Sequence, residues 1–491
     1  MSPKQIPMSA VDHAWLRMDT PQNHMMICGV WMLDRPVSMN RLRRIIEERF
    51  LCFSRFRQRV VDTGDGACWQ DDPLFDLDNH LHQIALPGKA DKAELQKLVS
   101  DMNSTSLDFQ QPLWQMHYID NYEGGSALLI RIHHCIADGI SLVRVMLSLT
   151  DKTPEPKIGK VASKRHAKPR QRSAFQQLLH RAVDNAQTAT NQGKLFIQSV
   201  REEPNYPLKL ASTAGAVALD LIKLGLAPVE PKTGLKEPLS GRKQVAWADP
   251  LDLADVKACA KALGGTINDA LLCTVTGALQ RHFAAHREAI PECGIRVAVP
   301  FNLRPLDQPI ETLGNKFGLV LVTLPVEVMD PLMCFRQVQE NMNRLKRSYQ
   351  AQVTYSLLDL FGRGPDVIER RALSLLSNKA SAVLTNVPGP KDALYLAGGK
   401  LTQPMFWVPQ SGNIGIGMSI LSYAGTVQFG ITVDKAIHAD PNAVMDYFRQ
   451  SFQALSHAAL AGRQGAPQTQ ERQSGVGITT GRKHKTTTNK G

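Results

Sequence analysis

Long hydrophobic runs are what this sequence most clearly lacks. Nowhere in its 491 residues do eighteen uncharged apolar residues follow one another. A helix that spans a bilayer needs about 20, so no spanning segment is expected. The opening residues, MSPKQIPMSAVDHAW, also lack the apolar core of a secretory signal. Cysteines are few and scattered: Cys28, Cys52, Cys68, Cys135, Cys259, Cys273, Cys293 and Cys334 include no CxxC pair. That argues against a zinc site or a disulfide framework, and for reduced thiols in a cytosolic protein. Charge is unevenly placed. The net charge of +12 is carried by two segments, 152–172 (net +7) and 461–491 (net +5), and the remainder is balanced. Neither segment holds an aromatic residue, so the stacking platforms of a single-strand nucleic-acid binder are missing. Basic segments on a neutral body suit anionic surfaces such as lipid head groups; a solvated loop and tail without a partner is the plain alternative.

What is present centres on Ala127 to Leu142, ALLIRIHHCIADGISL. Ala127–Ile132 has the length and apolarity of a buried strand. It ends on His133-His134, turns through Asp138-Gly139, and enters a helical pattern with Leu142, Val145, Met146 and Leu149 on one face. An imidazole can take a proton from a hydroxyl and return it to a leaving group. To do so it must be held in one tautomer on a rigid turn, which Asp138 can tie down and Gly139 can close tightly. HHxxxDG is expected in about one chain in a thousand of this length from average residue usage. A lone histidine would be read as core; this motif is specific enough to be read as a site.

HHxxxDG resembles the signature of the bacterial wax ester synthase/acyl-CoA:diacylglycerol acyltransferases, part of a superfamily that includes peptide-synthetase condensation domains. The resemblance spans roughly residues 5–460. Pro112-Leu113-Trp114 matches the family's PLW, Asn268-Asp269 its ND, Gly314-Asn315-Lys316-Phe317-Gly318 a GNxxG segment, and Asn386-Val387-Pro388-Gly389-Pro390 its NVPGP, all in the family's order. Gln111 and Gln115 depart from it, standing where members often carry Arg and Glu.

The resemblance implies an α/β fold of two chloramphenicol-acetyltransferase-like domains, with mixed sheets flanked by helices and an active-site channel at the domain interface. The expected divisions are 1–150, a basic linker with crossover helices over 151–240, a second domain over 241–460, and a disordered basic tail over 461–491. It implies acyl transfer from fatty acyl-CoA to diacylglycerol or a long-chain alcohol, with His134 as general base and His133 as support. Asp138 would pair with Arg304, and the Gly139 N–H is the candidate oxyanion donor. Pro112, Leu113, Trp114, Asn268, Asp269, Arg304, Asn315, Asn386, Pro388 and Gly389 would organise the site. Trp114 reads as packing, and Cys135 as a bystander, since direct transfer needs no nucleophile. No metal and no bound cofactor are implied; acyl-CoA is a co-substrate. The location implied is the inner face of the membrane or a lipid-droplet surface, reached from the cytoplasm. The alternatives are a condensation-type transferase with a carrier-protein donor, and an inactive lipid- or acyl-CoA-binding relative.

The chain around these motifs reads as alternating helices and strands. Strands are expected at Met26–Leu33, 295–300, 319–326 and 380–385. Helices are expected at 38–50, 92–103, 252–264, 266–286, 331–348 and 440–457. Residues 412–420 and 425–433 read as a glycine-rich hairpin, and Asn386–Pro390 as a rigid turn.

Overall fold

The apolar run that carries the histidines is Ser126–His133, buried at every position, as an inner strand must be when both faces of a sheet are covered. In the computed structural model, which describes residues 5–64, 66–155, 228–303, 313–363 and 376–464, it lies inside a six-stranded mixed sheet. The order is Tyr395–Leu396, Gly399–Trp407, Met26–Leu33, Ser126–His133, Trp114–Ile119, Leu81–Ile84. Its neighbour Met26–Leu33 runs antiparallel, placing Met26 opposite His133.

A second, seven-stranded sheet follows the order Phe317–Leu324, Ile295–Asn302, Ala382–Pro388, Ile416–Tyr423, Thr426–Asp434, Lys243–Trp247, with Leu251–Asp252 paired to Thr426–Asp434 off that path. The hairpin expected at 412–433 is there, closed by Ala424 and Gly425, both at positive φ, the geometry of a two-residue primed turn. Helices Leu253–Ala262, Ile267–His286, Pro331–Lys346 and Pro441–Gln464 cover one face.

The sheets do not divide with the sequence. Gly399–Trp407, drawn from the expected 241–460 unit, pairs with Met26–Leu33 in the first sheet. Trp407 and Met405 then share a core with Trp247, Val245, Cys28 and Val30, joining the two sheets through a common apolar layer.

Two local expectations are corrected. Asn386, Val387 and Pro388 are the last residues of a strand paired with Ile416–Tyr423, so the rigid turn begins only at Gly389. The final helix runs to Gln464, beyond the expected end. Most of the 151–240 linker with its expected crossover helices, Arg304 and most of the tail lie outside the described residues. Among the described residues no helix is long and apolar enough to cross a membrane.

Candidate active site

His134 begins the turn that follows the buried strand, and its backbone is tied on both sides. Its N–H donates to the Met25 carbonyl (2.7 Å) and its carbonyl accepts from Asn315 Nδ2 (2.8 Å). The imidazole stacks on Trp15 at 4.3 Å between centroids and 18° between planes, with Phe317 at 5.3 Å on the ring's surroundings. Only 5% of the residue is exposed. Burial disfavours the charged ring and lowers its pKa to about 4. At neutral pH it is therefore an uncharged imidazole, the form a general base needs.

His133 is held differently. The Cys135 N–H donates to its Nδ1 (3.1 Å), so that nitrogen carries no proton and the proton of the neutral ring sits on Nε2. That atom faces Asp19 Oδ2 at 3.3 Å. Asp19 also accepts from His24 Nδ1 (3.2 Å) and the Met25 N–H (2.7 Å). Burial opposes ionisation of Asp19, but the bonds from His133, His24 and Met25 outweigh it and hold the carboxyl below the usual carboxylate range. His133 thus supports the turn through the segment 19–25. Cys135 is fully buried, and burial pushes its thiol well above the usual range, so it presents no thiolate.

Asp138 caps the helix Gly139–Ser148: Oδ1 accepts from the Ser141 N–H (2.8 Å). Oδ2 accepts from the Lys316 N–H (3.0 Å), and the Asp138 N–H donates to the Gly314 carbonyl (3.3 Å). The GNxxG segment is thereby fastened to the histidine turn. Asp138→Ala removes the cap, worth about 1 kcal/mol, and leaves the Lys316 N–H without its acceptor, at about 1–3 kcal/mol. A thermal melt is expected to drop accordingly; an unchanged midpoint would mean water replaces both bonds without cost.

The structure places the other motif residues as follows. The Leu113 carbonyl accepts from the His133 N–H (2.9 Å), so PLW buttresses the histidine strand. Pro112 is buried beside it. Trp114 is packing, fully buried with Nε1 donating to the Phe56 carbonyl (2.8 Å) and its ring stacked on His80. Gln111 bonds Asp108, whereas Gln115 accepts from Arg131, a buried guanidinium on the histidine strand, at 2.9 Å. The two glutamines therefore do not pair with each other. Asp269 forms a reciprocal capping box with Thr266, and Asn268 Oδ1 accepts from Asn386 Nδ2 (2.8 Å), bringing ND and NVPGP together.

The tight closure expected at Gly139 does not call on a glycine's conformational freedom. Its φ is not in the left-handed region, and a Cβ there would touch nothing. It opens instead on a cavity of about 140 Å³ lined by Ile27, Trp31 and Ile132 of the first sheet, Thr385, Val387 and Leu421 of the second, and Leu142 of the capped helix. Gly389 also lines it. The first N–H groups of a helix have no intrahelical partner. With Ser141 capped, those of Gly139 and Ile140 remain the open donors at this helix start among the described residues.

Trp15, Phe317, Asp12 and Asp19 were not foreseen as site residues. The one local signal was Asp12, three residues before Trp15 and so on the same face of the helix Ala10–Arg17, an acid on a face that is otherwise buried. Among the described residues no cluster of His, Cys, Asp or Glu could hold a metal ion.

A buried, uncharged strand-end histidine where two mixed sheets meet is an arrangement suited to general-base group transfer. Comparison narrows this. The wax ester synthase/diacylglycerol acyltransferase catalytic domain matches residues 8–271, and the C-terminal domain of the same enzymes matches 313–456. The chain belongs to the wax ester synthase/diacylglycerol acyltransferase family, and it is an acyltransferase. A probable diacylglycerol O-acyltransferase of Mycobacterium tuberculosis is 28% identical over 399 residues, covering 79% of this chain and 80% of the relative. A putative one from the same species is 25% identical over 482 residues, covering 91% and 89%. The solved wax ester synthase/diacylglycerol acyltransferase of Marinobacter aquaeolei VT8 superposes with a TM-score of 0.66 at 20% identity, covering 92% of this chain and 99% of that one. The first condensation domain of the calcium-dependent antibiotic synthetase gives 0.59 at 14% identity, covering 93% and 96%. The expected fold, two chloramphenicol-acetyltransferase-like α/β units, is the one found.

Proposed function

We propose that this enzyme moves a long-chain fatty acyl group from acyl-CoA to the hydroxyl of diacylglycerol or a long-chain alcohol, with His134 as general base. The observation that carries the reading is the buried, uncharged imidazole at a turn that also opens, five residues on, onto an apolar cavity between the sheets. His134 takes the hydroxyl proton as the oxygen attacks the thioester carbonyl. The oxyanion forms near the start of the helix Gly139–Ser148, where the Gly139 N–H and the positive end of the helix dipole favour negative charge. Collapse expels the CoA thiolate, which takes the proton back from His134. The apolar lining suits the alkyl chain of a lipid substrate, and the space between the sheets serves as the channel in which both substrates meet. Asp138 keeps the turn rigid. Two lipid substrates and the basic segments 152–172 and 461–491 favour work at a membrane or lipid-droplet surface from the cytoplasmic side.

The test is thiol release from palmitoyl-CoA by the full chain, with hexadecanol or dioleoylglycerol supplied in turn. Acceptor-dependent release establishes the reaction and ranks the acceptors; no release with either points to a carrier-protein donor or a binding role. The cavity makes a second expectation. Gly139→Ala meets no atom, so the thermal midpoint is unchanged. The added methyl stands in the cavity and is expected to lower kcat/KM for palmitoyl-CoA by about tenfold. Unaltered kinetics would remove the cavity from the substrate path.

A further inference from the structure

The strand Ala382–Pro388 has two unlike faces. Leu384 packs with Met418 and Ile420 in the core under the helices. Thr385 and Val387 point the other way and line the cavity of about 140 Å³ that opens at Gly139. On the neighbouring strand, Leu421 and Tyr423 line it too. Three of the lining side chains carry a polar hydrogen: Trp31, Tyr423 and Thr385. Trp31 is partly exposed. The Tyr423 hydroxyl is committed, donating to the Leu401 carbonyl (3.0 Å) and accepting from the Leu394 N–H (2.8 Å). Thr385 is different. Its Oγ1 is buried with no hydrogen-bond partner, and 8% of the residue is exposed. Ser419 stands opposite Thr385 in the strand register and shares the face of Leu421. It is 1% exposed, and its Oγ is buried without a partner as well. The packing does not ask for a hydroxyl here, since Val383 and Val387 occupy the same face two residues to either side. A buried hydroxyl left unpaired costs free energy, which an acceptor on a ligand would restore.

We propose that Thr385 is a specificity residue for the acyl acceptor: its hydroxyl donates to an ester carbonyl of a diacylglycerol, and so favours that acceptor over a long-chain alcohol. This rests on the acyl transfer proposed above and deepens it by naming the acceptor class. In a mostly apolar cavity, a few placed polar groups set which ligand is held and how. The candidate occupants differ in what they offer such a group. A fatty acyl chain is all methylene beyond its thioester, whose oxygen is met at the Gly139 end of the cavity. A long-chain alcohol has only the hydroxyl that reacts. A diacylglycerol keeps two ester carbonyls besides its reacting hydroxyl, and both are acceptors without donors of their own. The unpaired hydroxyl of Thr385 thus separates the two lipids by a hydrogen bond, which discriminates more sharply than chain volume does.

The experiment gives palmitoyl-CoA to the full chain and to Thr385→Val, with dioleoylglycerol and hexadecanol supplied separately. Valine keeps the shape and deletes the unpaired hydroxyl, so the thermal midpoint should not fall. The kcat/KM for dioleoylglycerol is expected to fall about tenfold. That for hexadecanol is expected to rise about twofold, because an alkyl chain no longer buries a hydroxyl. Thr385→Ser restores the donor, and with it the wild-type ratio between the acceptors to within about threefold. A residue that only packs would move both acceptors in the same direction. That result, or an unchanged ratio in Thr385→Val, overturns the proposal. Should the wild type release no thiol with either acceptor, the acyltransfer reading fails, and equilibrium binding of dioctanoylglycerol decides this one. A Kd about tenfold weaker in Thr385→Val upholds the donor; an equal Kd removes it.

Discussion

His134→Gln is expected to cut acyl transfer by about 1,000-fold while leaving a folded protein. The first half of that expectation follows from removing a positioned base. The second follows from the packing. A glutamine fills similar space between Trp15 and Phe317, and the lost ring stack is worth about 0.5–1.5 kcal/mol. Equal loss of activity and of the folded state would make His134 a core residue and nothing more.

The pH dependence carries the sign of the same burial. Wild-type kcat/KM is expected to stay level as pH falls through 6.5, because the buried ring takes its proton only near pH 4. Between those values the unfolded chain binds more protons than the folded one, so stability is lost as pH falls. His80 is also lowered by burial, and His117 and His282 are brought to about 4 by the same cause. His134→Gln removes one of these four contributions, so its melting midpoint should decline less steeply than the wild type's between pH 6.5 and 4.5. A wild-type acid limb near 6.5 would show that the acting base is a solvated group.

Gly318→Ala is expected to have the largest effect on stability. Any Cβ at 318 would overlap the Ala351 carbonyl oxygen and press on Ala351 Cα, because the strand Phe317–Leu324 meets the helix Gln350–Arg363 backbone to backbone. Neither element can yield by turning a side chain. Thr354 Oγ1 donates to the Leu319 carbonyl and accepts from the Leu319 N–H, holding the two together (2.8 and 2.7 Å). Overpacking of this kind costs about 3 kcal/mol, which should lower the thermal midpoint by about 3 °C in a chain of this length. Activity should fall with it, since Phe317 sits by His134 and Asn315 and Lys316 grip the histidine turn. A midpoint within about 1 °C of the wild type would mean the strand and helix can part at no cost.

The parts legible in the sequence were those written in consecutive residues. Ser126 to Ser148 could be read as strand, turn and helix because each piece has its own period, whereas the capping box of Thr266 with Asp269 emerged only from the structure. Packing by Trp114 also followed from residue type. Gly399–Trp407 escaped notice because Pro404 and the flanking glycines read as loop, and because its partner strand lies some 370 residues earlier, as in the Thr402–Met32 bond. The surroundings of His134 were hidden for the same reason. Asp12 and Trp15, the histidine turn, and Asn315 with Phe317 come from three distant stretches, and a buried Asp three residues before a Trp has no chemistry until the fold supplies Asn315. Gly139 misled in the other direction: a glycine after Asp suggested turn geometry, while its use is the absence of a side chain on a cavity wall.

The late strand Gly399–Trp407 has a consequence during synthesis. While the ribosome is still translating the second half, Met26–Leu33 has Ser126–His133 on one side and an open edge on the other. That edge stays unpaired until residue 407 has left the exit tunnel, roughly 20–80 s at about 5–20 residues per second for the intervening chain. An exposed apolar strand edge is a template for aggregation. The nascent protein should therefore lean on chaperones through most of its translation, and separate expression of the two halves should yield a first half that remains insoluble until the second is supplied.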